Sequence, residues 1–193
     1  RSGIPAHDRT IVAVPAIVDS ATRVETLIDD LEVRFLANRD PHLHFALLSD
    51  FADATEQITE KDAALVQLAE QRVEELNDRY GANRFFFLHR ERRWNPGEDC
   101  WMGWERKRGK LEEFNRLLRG ATDTSFVVVK GDLSILQSVR YVITLDSDTQ
   151  LPRDVARKLV GAAIHPLNQP LINPATNRVT RGYGILQPRV SIS

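Results

Sequence analysis

A single cysteine, Cys100, leaves this 193-residue chain without an internal disulfide, and a reducing compartment is expected. Long hydrophobic runs are missing too. No stretch approaches the roughly 20 apolar residues that span a bilayer, and the opening Arg1-Ser2-Gly3-Ile4-Pro5 lacks the apolar core of a signal peptide. The chain itself therefore reads as soluble. Neither sign of charge dominates: 26 lysines and arginines face 27 aspartates and glutamates, for a net charge of −1. That removes the broad basic field nucleic acid requires. The five histidines have no metal-ligand spacing, and there is no internal repeat or low-complexity tract. With Met102 as its one methionine and Arg1 as its first residue, the chain reads as a segment of something longer. A hydrophobic content of 42% over this length suits one domain, 1–193, with a core of its own.

Thr10 to Val18 is apolar and rich in β-branched residues, as a strand buried on both faces must be. Val24, Leu27, Ile28, Leu31 and Phe35 then recur at helical spacing, with Asp19, Ser20 or Thr22 available as a cap and Glu25 completing a capping box with Thr22. His42 to Ser49 reads as a second strand, with Asp50 to Asp53 in the loop beyond it. A helix from about Glu60 is closed by Gly81, and Arg84 to His89 is a third strand. Arg90 to Trp104 reads as a long loop, Leu111 to about Gly120 as a short helix and Phe126 to Val129 as a short strand. Tyr141 to Asp146 is a strand. A helix follows from Pro152 to about Ile164, then a loop over His165 to Pro174, and Gly184 to Val190 is a last strand. Alternating strands and helices imply an α/β fold with an open, mainly parallel sheet, whose ligands gather beyond the carboxyl ends of the strands.

One such end carries chemistry. The apolar run Tyr141-Val142-Ile143-Thr144-Leu145 delivers Asp146-Ser147-Asp148, and two carboxylates at a strand tip need water, a cation or donors. In the functional reading Asp148 ligates Mg2+ or Mn2+ beside a diphosphate, while Asp146 holds the sugar side of a donor and supports the metal. Alternatively, Asp148 merely caps the turn before Pro152. The basic run Arg106 to Lys110 suits diphosphate oxygens at a helix start, with Gly109 allowing close approach of the backbone. It is not a P-loop, because Gly103 to Gly109 is one residue too long and Leu111 stands where serine or threonine should be. Asp50 and Asp53 suit uridine or simple turns. Trp94, Trp101 and Trp104 are packing anchors or a face for carbohydrate.

At Arg93-Trp94-Asn95-Pro96-Gly97-Glu98, Cys100 through Asn115, Tyr141 through Pro152 and Gly182 through Val190, the chain resembles the glycosyltransferase domain of bacterial cyclic β-1,2-glucan synthases. The likeness spans nearly all 193 residues. More distantly, Lys107 to Leu111 is similar to the KAGNL segment of cellulose-synthase-like enzymes, and Gln187-Pro188 to their strand after the metal site. The resemblance implies a GT-A fold, an inverting mechanism, UDP-glucose as donor, a growing glucan as acceptor and a parent protein on the cytoplasmic face of the bacterial inner membrane. It assigns Asp50 to uridine, Lys107 to the diphosphate, Gln187 to donor binding, and Asp146 and Asp148 to metal and donor. The paired aspartates usual at the first position are here Ser49-Asp50.

The resemblance also places the catalytic base in a TED-like motif and a QxxRW-like motif after it, both downstream of Gln187, so no catalytic base is assigned within the chain. By itself the chain is expected to bind UDP or UDP-glucose weakly without transferring glucose. A phosphatase of the haloacid dehalogenase type also carries DxD after an apolar strand, but Gln150 stands where that motif wants threonine or valine. A non-catalytic nucleotide-binding module is the other alternative.

Overall fold

The computed structural model describes residues 3–188. β1 (Thr10–Val18) is apolar because both of its faces are covered. Ile11 and Ala13 enter one core cluster, and Val12, Val14, Ala16 and Val18 enter the other. β2 (Leu43–Phe51) and β3 (Phe85–Arg90) are buried throughout for the same reason. The five-stranded sheet adds β6 (Phe126–Lys130) and β7 (Tyr141–Thr144) in the order β6-β3-β2-β1-β7. All its pairings are parallel except that of β6 with β3.

On one face lie α1 (Ala21–Ala37), α2 (Asp62–Tyr80) and α5 (Val155–Ile164). On the other lie α3 (Arg106–Leu118) and α4 (Leu133–Gln137). The stripe Val24, Leu27, Ile28, Leu31 and Phe35 buries α1 as its spacing predicts, each side chain contributing about 1.5–3 kcal/mol. Phe35 meets Phe45, Tyr80 and Phe85 at centroid separations of 5.9, 5.0 and 5.0 Å. This is an α/β, Rossmann-like architecture of the kind a GT-A fold requires. Among the described residues no helix is long and apolar enough to cross a membrane.

Several local expectations change. Ser20 caps α1, its Oγ accepting from the Arg23 amide at 3.2 Å, and Thr22 lies inside the helix, so no capping box forms there. β2 extends through Phe51, which puts Asp50 in the strand. The loop from Arg90 contains a hairpin, β4 (Arg93–Asn95) with β5 (Cys100–Met102), and α3 begins five residues before Leu111. β7 stops two residues short of Asp146, and α5 starts at Val155, not Pro152. A second hairpin, β8 (Leu171–Asn173) with β9 (Arg178–Arg181), occupies the proline-rich region. Residues 184–188 form no strand, and 189–190 lie outside the described residues.

From β1 the chain moves outward to β2 and β3, then returns to β7 on the other side of β1, so the strand order reverses at β1. Such a reversal opens a crevice at the carboxyl ends of the two strands. Pro15 marks it. The Ala13 carbonyl accepts from the Leu145 amide at 3.0 Å, so odd-numbered residues of β1 direct their backbone groups toward β7. Pro15 falls on that side beyond the last β1–β7 pair, Ala13 with Thr144. Without an N–H, Pro15 cannot carry the β1–β7 ladder further, and the pairing stops at Ala13 with Thr144.

Candidate functional site

The segment after β7 turns at Ser147-Asp148, closed by the Thr149 amide donating to the Asp146 carbonyl at 2.9 Å, and Asp146, Asp148 and Gln150 are exposed while Ser147 and Thr149 are half-buried. Its backbone is held from α1. The guanidinium of Arg34, only 5% exposed, donates through Nη2 to the carbonyls of Ser147 (2.7 Å) and Thr149 (2.9 Å), and through Nε to Thr149 (3.1 Å). Arg23 reaches the Ser147 hydroxyl at 3.0 Å, and the Asn38 amide donates to the Leu151 carbonyl at 3.0 Å. Burial pushes the Arg34 pKa down from its ordinary value, with Asp30 and Asp148 acting against the shift. The inward groups are therefore tied down. The two carboxylates between them are left facing water, on backbone fixed by α1.

Lys107, in the first turn of α3, is ion-paired with Asp146. The entry to α3 is tight: Glu105 and Arg106 have φ of 51° and 47°, in the left-handed region that non-glycine residues avoid. Arg90 holds this turn, donating from Nη1 to the Trp104 carbonyl and from Nη2 to the Arg106 carbonyl, both at 3.0 Å. Gly109 lies inside α3. A Cβ there would sit 2.3 Å from the Trp104 carbonyl oxygen and 2.7 Å from its indole, so the close approach this glycine permits is that of Trp104.

Arg90 is fully buried and uses all five of its donors. Beyond the two carbonyls it bonds Asp50 twice, at 2.7 and 2.8 Å, and Glu113 at 2.8 Å. Lys110 Nζ lies 3.1 Å from Asp50 and donates to the Ala16 carbonyl at 2.7 Å. Glu113 accepts from the Ser125 amide and hydroxyl. Two cations thus meet two anions, and the buried charges cancel. Burial alone would raise the Glu113 carboxyl, but Ser125 and Arg90 hold it below its ordinary range. Burial lowers the ammonium of Lys110 against the pull of Asp50. Beside this network His89 bonds the Ser49 hydroxyl at 2.7 Å, and burial depresses its pKa to about 4.

No family model matches the chain. Over 194 aligned positions, 99% of the chain, it is 48% identical to the cyclic β-(1,2)-glucan synthase NdvB of Rhizobium meliloti (strain 1021). The chain is homologous to a segment of that synthase. It spans about 7% of the synthase's length.

In the structure the predicted residues divide. Lys107 and Asp146 meet, and Asp148 shares their exposed loop. Asp50 stands at the end of β2 within the buried network. Gln187 is exposed after β9 and makes none of the hydrogen bonds or ion pairs found among the others. Arg34, Arg90 and Glu113 were not singled out, and Lys110, expected with the basic run to meet diphosphate oxygens, is instead buried against Asp50 and the Ala16 carbonyl. Their partners are backbone carbonyls and side chains far along the chain, which no local spacing exposes. The one signal was Arg90 itself, a charge at the tip of an apolar strand.

A second group of acids lies nearby. Asp53, Glu98 and Cys100 converge closely enough to consider a metal. Arg106 already bridges both carboxylates, at 2.8 and 2.6 Å. Burial, with Asp53 and Glu98, also pushes the Cys100 thiol up, away from the thiolate that binds metal.

Proposed function

We propose that this chain forms the donor-binding part of a glycosyltransferase that builds β-1,2-glucan from UDP-glucose with inversion. The observation that carries the reading is Asp146 and Asp148 exposed on a clamped loop at the reversal of strand order, with Lys107 against Asp146. Carboxylate oxygens are hard ligands, so the pair fits Mg2+ or Mn2+. Asp148 would hold the ion with support from Asp146. When bound, the ion neutralises charge gathering on the departing nucleoside diphosphate.

The ion pair with Lys107 gives the chain a way to hold its charges until the donor arrives. Lys107, now paired with Asp146, would be the cation within reach of the diphosphate oxygens once that pair opens. Asp50 is assigned to the uridine side by resemblance alone; its carboxylate is buried and bonded to Arg90 and Lys110. Gln187 is assigned to the donor by resemblance alone. The parent protein works at the inner membrane through segments other than this one.

Calorimetric titration with UDP, with and without Mn2+, tests the reading. Wild-type chain is expected to bind UDP only with the ion, and Asp148→Ala to weaken that binding at least about tenfold, or 1.4 kcal/mol. Equal binding without metal, or in the variant, would favour a non-catalytic nucleotide-binding module.

A further inference from the structure

We infer that the cleft beside the β4–β5 hairpin binds the acceptor glucan, an assignment that rests on the transferase reading above. The cleft is about 410 Å³ and is lined by Trp94, Asn95, Glu98, Met102, Trp104 and Arg106, among others.

Its indoles are exposed but held. Trp94 pairs with Trp101 across the hairpin and meets it edge to face at 5.8 Å. Trp101 is in turn bonded to Ala54 through both backbone groups, each at 2.9 Å. Trp104 is anchored by Gly109, whose missing side chain receives one edge of the ring. Trp94 nevertheless remains 46% exposed and Trp104 40%. A rigid, water-facing indole loses little entropy on binding and offers a flat apolar face. The C–H face of a pyranose ring is such a partner.

The charges on the walls argue for an uncharged ligand. Glu98 and Glu105 balance Arg93 and Arg106, and Arg106 is already paired with Glu98. A phosphate would find no unpaired excess of positive charge, whereas hydroxyl groups match paired donors and acceptors. Placement adds direction. Trp104 precedes Lys107 by three residues, at most about 11 Å of chain, and Lys107 contacts Asp146. The cleft is therefore within a few sugar units of the donor site.

The test is titration of the 193-residue chain with a linear β-1,2-linked glucose tetrasaccharide, followed by tryptophan fluorescence and amide shifts, beside a UDP–Mn2+ titration. Saturable binding is expected, with the largest shifts at residues 94–104. Trp94→Ala should weaken it roughly tenfold or more, and Trp94→Phe, which keeps an aromatic face, should stay within about threefold of wild type. UDP–Mn2+ binding should be unchanged in both variants. No saccharide binding, or equal binding by Trp94→Ala, overturns the inference even if UDP binds. Trp94-dependent saccharide binding without metal-dependent UDP binding upholds the glucan site and refutes the donor reading instead.

Discussion

Arg90 shows how one residue can organise a site without touching its surface. Its five donors join the end of β2, the turn into α3 and Glu113. Removing it leaves Asp50 with only Lys110, and Glu113 with only Ser125, in a buried setting. Arg90→Met is expected to lower unfolding free energy by about 3–5 kcal/mol in urea titrations; a loss under 1 kcal/mol would contradict the network. His89 predicts a pH dependence. Its folded pKa, about 4, lies below the unfolded value of roughly 6.5, so the unfolded chain binds the extra proton between those limits. Its stabilising contribution is full above pH 6.5 and is lost on acidification toward pH 4, by on the order of 3 kcal/mol. Denaturation at stepped pH should show a smaller acid loss in His89→Gln than in wild type. Parallel profiles would rule that origin out.

Among the elements, β1, α1 and the first part of β2 were legible, because a strand covered on both faces and a helix with one buried stripe each leave a periodic trace. The β4–β5 and β8–β9 hairpins were not. Their strands are only three or four residues long, and all but β5 are largely exposed, so they are too short to impose a periodic apolar pattern. The hairpin also explains Gly103, where a Cβ would fall 2.5 Å from the Asp50 carboxylate and 3.0 Å from Arg90. Gly103→Ala should cost about 1–3 kcal/mol, seen in thermal melts as roughly 2–4 °C for each kcal/mol. An unchanged midpoint would mean that the turn into α3 yields freely.

For the whole molecule, alternating elements were enough to read the parallel sheet. The antiparallel β6 and the reversal of strand order at β1 emerge only once strands find partners. The same holds for the site. Spacing singled out Asp146, Asp148 and the basic run Arg106 to Lys110, and resemblance narrowed that run to Lys107. The clamp of Arg34 on the backbone between those acids depends on a contact spanning 113 residues. We propose that this clamped pair holds the metal of a sugar-nucleotide site. The most direct test is paramagnetic broadening of backbone amides by Mn2+ in the presence of UDP. Signal should be lost at residues 145–149 and around Lys107, and Asp148→Ala should abolish that loss. Broadening centred instead on Asp53, Glu98 and Cys100, with 145–149 unaffected, would contradict the proposal.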